Sequence, residues 1–239
     1  MPFYKLPPCR RKIYLILLIC LLSACTQRVA PVIESPQADQ ATLNSDKAWY
    51  AARFSLHREK DQEPNWYLGT LLAGEVIAPI LDQYGQHIIC WRVHRRAVGD
   101  QTGHVFSFIF YSSKASAAMI YQRVQENNIV AELHRQQLLL KVNYAPLTVN
   151  LHTILADTSD TAWPESVRQS WPFFMMGASQ MWMAQVKTLK QEAADNQAIE
   201  QRYQIIQGKL NELWQQQGQH ALIHHLSALY AYRPVSMRF

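Results

Sequence analysis

Two short runs of β-branched and aromatic residues, separated by turn formers, constrain this chain more than any other feature in it. Residues His87 to Arg96 read His-Ile-Ile-Cys-Trp-Arg-Val-His-Arg-Arg, residues His104 to Tyr111 read His-Val-Phe-Ser-Phe-Ile-Phe-Tyr, and Gly99-Asp100-Gln101-Thr102-Gly103 lies between them. Such side chains fit a pleated, half-buried surface, and glycine beside Asp supplies the backbone freedom and local hydrogen bonds of a turn. The spacing predicts an antiparallel hairpin over about 87–111. Successive strand side chains point to opposite faces, so Arg92, His94 and Arg96 share one face and Arg95 takes the other.

The segments around this hairpin extend it into an α+β fold. Ser116 to Asn127 has helical spacing, with Ala117, Ile120, Tyr121 and Val124 on one side, and Leu138 to Tyr144 reads as a further strand. Ser45 and Asp46 are N-cap residue types and predict a helix carrying Trp49, Ala52 and Phe54. His57 to Asn65 is charged and loop-like, and the apolar run Leu68 to Leu81 predicts a short helix broken at Pro79. Beyond Pro164 the chain turns helical. Trp171 to Val186 is apolar almost all round, which predicts a buried helix. Ile199, Tyr203, Ile206, Leu210 and Leu213 then follow at spacings of four and three, Gly218 stands where a C-cap belongs, and His220 to Tyr230 completes a helical hairpin. The expected architecture is a small antiparallel sheet, made of the hairpin at about 87–111 and a strand at about 138–144, packed with helices and followed by a helical C-terminal third. No repeat recurs along the chain, and a subdivision of the folded region would fall near 150–163.

The N-terminus carries a different message. Lys5, Arg10, Arg11 and Lys12 precede the apolar run Ile13 to Leu22, and small residues follow at Ser23 and Ala24, the order of a secretory signal. Ten apolar residues make about 15 Å of helix, half of a hydrocarbon core of roughly 30 Å, so a stable transmembrane span is disfavoured. Leu22-Ser23-Ala24-Cys25 resembles the lipobox of bacterial lipoproteins, a resemblance confined to the first 25 residues. It implies removal of residues 1–24, acylation of Cys25 and attachment to a membrane through that lipid. Several acyl chains at about 0.8 kcal/mol per buried CH₂ hold a protein essentially permanently. Thr26 stands where lipoproteins kept at the inner membrane commonly carry Asp, so the resemblance implies the outer membrane, facing the periplasm. Residues 25–44, with Pro31 and Pro36 among small and polar side chains, read as a flexible tether before a folded region at 45–239.

Composition narrows the function classes. Removing residues 1–24 takes four of the 23 Lys and Arg and none of the 18 Asp and Glu, which leaves a formal charge of +1. The basic pI thus belongs to the signal, and nucleic acid is not an expected partner. Of four cysteines, Cys9 and Cys20 leave with the signal and Cys25 is acylated, so Cys90 alone cannot close an intramolecular disulfide.

Several residue groups are candidates for chemistry. Arg92, His94 and Arg96, with His104 opening the partner strand, suggest an anion site for a carboxylate or phosphate, against the alternative that neighbouring acids pair these charges. His220 and His224 stand one helical turn apart with His225 adjoining, but the glutamate of a His-Glu-x-x-His site is missing, and His225 shares a face with Leu222 and Leu229 as a core histidine would. Neither a metal nor a cofactor is expected. Gly177-Ala178-Ser179-Gln180-Met181 lacks the second glycine of a nucleophile elbow, Cys90 sits among apolar strand residues, and Glu59, Asp61 and Glu63 are too close together for a glycosidase pair. Met175, Met176, Met181 and Trp182 are a candidate partner interface, with core packing as the competing role. The expectation is a non-enzymatic accessory or scaffold lipoprotein working with other envelope proteins. An envelope hydrolase acting on a cell-wall or lipid substrate is the runner-up.

Overall fold

A computed structural model describes residues 47–59, 62–96, 103–148, 152–193 and 196–234. The expected signal, Cys25, the expected tether and the glycine-bearing turn 99–102 lie outside the described residues.

Lys47–Leu56 (β1) corrects the first helix expectation, because it is a strand and a central one. Ala48, Tyr50, Ala52, Phe54 and Leu56 are buried on one face, while Trp49, Ala51, Arg53 and Ser55 alternate onto the other. Pairing on both edges outweighs the helix preference of its alanines and the capping residues before it. The next run, Trp66–Leu72 (α1) and Ala78–Tyr84 (α2), is joined without a break by a π-helical turn, Ala73–Ile77. Pro79 therefore does not end the helix: the bond it cannot make would leave the Glu75 carbonyl open, and Asn127 Nδ2 donates to that carbonyl at 3.3 Å.

Ile88–Arg96 (β2) and Val105–Ser113 (β3) form the predicted antiparallel hairpin. Lys114–Gln125 (α3) starts on Ser113, whose side chain accepts from Ser116 N at 3.2 Å, and buries the predicted Ala117, Ile120, Tyr121 and Val124. Asn128–Arg135 (α4) is capped by Asn127, and Leu139–Tyr144 (β4) pairs with β1. The result is one antiparallel sheet in the order β2-β3-β1-β4, as the α+β expectation required. Phe54, Phe106, Phe108, Phe110 and Tyr50 fill the core between one sheet face and Leu68, Leu71, Leu72, Ile120 and Val124 of the helices. Tyr121 ties the layers together, accepting from Ala51 N at 3.2 Å and donating to Ala145 O at 3.1 Å.

The C-terminal helices differ in detail from expectation. Glu165–Glu192 (α5) is not apolar to its neighbours all round: Pro172, Ser179, Met183, Val186 and Leu189 form a buried stripe, while Phe173 and Phe174 are 57% and 49% exposed. Pro172 lies inside this helix, and the carbonyl it leaves open, that of Arg168, accepts from Ser159 Oγ at 2.8 Å. Helix α5 covers the β2 edge, where Ser179 Oγ accepts from Val93 N at 3.1 Å. Ile199–Gly218 (α6) buries Tyr203, Ile206 and Leu210, but Gly218 does not cap it. The helix runs on through a second π turn, Gln219–His224, into His225–Leu229 (α7) and ends where Ala231 and Tyr232 adopt φ of 52° and 55°. The helical pair is therefore α5 with α6. They dock on the first π turn, where Glu75 accepts from Tyr203 Oη at 2.7 Å and Lys190 Nζ at 2.9 Å, and Arg202 Nη2 lies 3.4 Å away.

Candidate functional site

The helices cover one face of the sheet, and strand register decides what the other face carries. Pairing sets Arg96 beside Val105 and Ser55 beside both Val105 and Lys141. One pleat further, His94 faces Ser107, Ser107 faces Arg53, and Arg53 faces Asn143; then Arg92 faces Ile109 and Ile109 faces Ala51. A register shift between Ile88 and Cys90 fixes this parity, placing Cys90 across from Tyr111. The surface that results spans the four strands and carries Arg53, Arg92, His94, Arg96 and Lys141 on three of them.

One end of this face is closed. Trp49 Nε1 donates to Leu155 O at 3.0 Å, Tyr111 Oη to Thr153 O at 2.7 Å and Trp49 N to His152 O at 3.0 Å, so the segment around a short turn, Leu155–Thr158, seals Trp49, Cys90 and Tyr111 beneath it. The remainder is an open groove of about 820 Å³. Its wall is aromatic: Trp163 and Trp171 meet edge to face at 4.9 Å, with Met175 beside them in the lining. Two acids also line it, and each is engaged by backbone, Asp157 accepting from Ile154 N at 2.7 Å and Asp160 from Ala162 N at 2.9 Å.

The electrostatics follow from the crowding. Arg92 is pushed below its ordinary pKa by burial first and by the charge of Arg96 second, and its Nη2 lies 3.5 Å from Thr158 O. Arg96 Nε donates to His94 Nδ1 at 3.3 Å, a bond that requires that ring nitrogen to be unprotonated. A further negative group in the groove would relieve repulsion among these cations.

The predicted site residues separate here. Arg92, His94 and Arg96 do share the groove, whereas His104 does not join them. Because Arg96 pairs with Val105, residue 104 has core parity, and His104 is 4% exposed with its ring edge-on to Trp66 at 5.4 Å. Burial, then the charge of Arg95, lowers its pKa to about 4. Arg95 also turns coreward, between the rings of Trp66 and Trp182 at 5.0 and 5.4 Å, donating to Trp66 O and, at 2.9 Å, to Gln207 Oε1. Trp182 thus packs on Arg95, Met176 packs against the core, Met175 lines the groove and Met181 is half-buried.

Ser179 sits mid-helix and donates to Met175 O at 2.7 Å, a structural role and not a nucleophile's. Cys90 is fully buried, its thiol raised to about 11 chiefly by burial. His225 is exposed and not a core histidine, since the face it was expected to share is not core: Leu229 is 83% exposed and no residue from Gln219 to Leu229 is buried. Cys25 lies outside the described residues. Arg53 and Lys141 escaped the sequence reading. The available signal was the alternation Trp49, Ala51, Arg53, Ser55, which matches the strand period but was masked by helix-capping residues before it.

Compared with protein-family models, with curated proteins and with solved structures, the chain matches none. The class its geometry defines is an α+β protein with one sheet face under helices and the other forming a basic, aromatic-walled groove.

Proposed function

We propose that this chain is a non-enzymatic accessory lipoprotein of a bacterial cell-envelope assembly, anchored at the outer membrane through lipid on Cys25 and facing the periplasm. Its sheet groove holds a carboxylate- or phosphate-bearing group of a partner envelope protein. The observation that carries this is the convergence of Arg53, Arg92, His94, Arg96 and Lys141, from three strands distant in sequence, on one groove. Arginine forks give two parallel bonds to a carboxylate or phosphate, and the tryptophan wall lowers the local dielectric around them. The lipobox resemblance at Leu22 to Cys25 supports the anchor, and the Pro-bearing stretch after it supports a tether that lets the groove reach its partner.

The test is mild crosslinking in intact membranes followed by copurification with wild-type chain and with Arg92→Gln/Arg96→Gln. A defined set of envelope proteins recovered with wild type, and recovered about tenfold less with the variant at equal expression and helix content, supports the proposal. An undiminished set with the variant rejects the groove, and no stoichiometric set with wild type rejects the scaffold role.

A further inference from the structure

Beyond the groove, the second π turn brings together three histidines that an α-helix would keep apart. At about 100° per residue, an α-helix puts residues four apart within about 40° of each other but sends a residue five apart to the far side. A π turn, closed by bonds to the fifth residue, holds about 4.4 residues, so four and five residues fall on either side of one full turn. His220 is the second residue of the turn Gln219–His224 and His225 follows it, so both His224 and His225 come back over His220. The ring centres lie 5.3 Å (His220–His224), 5.5 Å (His220–His225) and 5.4 Å (His224–His225) apart.

A point equidistant from the three centres is about 3.1 Å from each. For a ring whose nitrogen pointed at it, that distance would hold a zinc–nitrogen bond of about 2.0–2.1 Å plus the roughly 1.1 Å from ring nitrogen to ring centre; as they stand the rings meet at 24° (His220–His224, stacked), 56° (His220–His225) and 77° (His224–His225). We propose that His220, His224 and His225 bind a divalent transition-metal ion of the imidazole-preferring class, zinc or copper, with solvent completing the coordination. As the side chains stand, no group of three His, Cys, Asp or Glu among the described residues is set to hold a metal, so binding requires the rings to turn their nitrogens inward. All three are exposed, which leaves them free to do so. Tyr232, brought back by the left-handed turn at Ala231 and Tyr232, places its hydroxyl 3.5 Å from His224 Nε2 and its ring centre 5.4 Å from that of His224. It is positioned to orient a ligating imidazole.

Metal-free full-length chain in detergent, titrated calorimetrically with Zn²⁺ and separately with Cu²⁺, tests this. One ion per chain should bind with a micromolar or tighter dissociation constant, weakened about 100-fold in either His224→Gln or His225→Gln. His134→Gln, an exposed histidine elsewhere on the surface, should bind as wild type. Because the three ligands are exposed, circular dichroism should be identical for all variants. Absence of saturable binding to wild type overturns the proposal. So does binding that persists in the triple Gln variant, or that is unaffected by His225→Gln, since the site would then not be the one the π turn assembles.

Discussion

His104 should make this protein acid-sensitive in a way that one substitution removes. It is 4% exposed, its Nδ1 has no hydrogen-bond partner among the described residues, and burial with the Arg95 charge lowers its pKa from 6.5 to about 4. A depressed pKa means that the unfolded chain takes up the proton first. The neutral ring's contribution is therefore fully present above about pH 6.5 and is lost as the pH falls toward 4. The whole shift corresponds to roughly 3 kcal/mol at 1.36 kcal/mol per unit, of which about 2 kcal/mol is lost between pH 7 and pH 5. With a urea dependence near 2 kcal/mol per molar, that is a fall of about 1 M in the unfolding midpoint. Urea unfolding at the two pH values, followed by tryptophan fluorescence, should show this extra fall in wild type and not in His104→Phe, whose ring can keep the edge contact with Trp66. Titration of the other histidines is common to both proteins and cancels in the comparison. If both midpoints fall equally, His104 does not carry the pH dependence and the argument from its burial fails.

Gly74→Ala should cost about 2–3 kcal/mol, because an added Cβ would stand 2.2 Å from Tyr203 Oη and drive that hydroxyl off Glu75; a drop in thermal midpoint that Tyr203→Phe does not deepen in the Gly74→Ala background would confirm the shared cause. Cys25→Ser should abolish acylation and membrane retention, read by labelled fatty acid and by fractionation; a wild-type chain that takes up no label refutes the anchor. Thermal unfolding with and without reductant should coincide, since Cys90 is a free, buried thiol, and a large downward shift in reductant would reveal a bridge between chains.

Where the sequence could be read, the information was local. The β2–β3 hairpin, the buried face of α3 and the strand β4 all follow from side-chain period and turn residues within one segment. Arg92, His94 and Arg96 came out on one face for the same reason, since alternation along β2 needs no partner to define it. The turn residue count did not settle His104, because its face depends on which residue pairs with Arg96 across the hairpin.

Tertiary structure decided the rest. Ser45 and Asp46 are local helix signals, but Lys47–Leu56 gains a ladder on each edge by pairing with β3 and β4, far along the chain, and that pairing wins. The same placement carried Arg53 and brought Lys141 beside the hairpin's cations, so the groove exists only once the sheet is assembled. Pro79 reads as a break, yet Asn127 supplies the missing hydrogen bond from elsewhere in the fold, as Ser159 does for Pro172. Gly218 reads as a stop, yet there the Trp214 ring lies so close that a Cβ would meet it at 2.7 Å, and the helix continues. Period and turn chemistry are properties of a few adjacent residues and are written in the chain; strand neighbours, rescued carbonyls and close approaches are made by residues far apart in sequence, and only packing selects them.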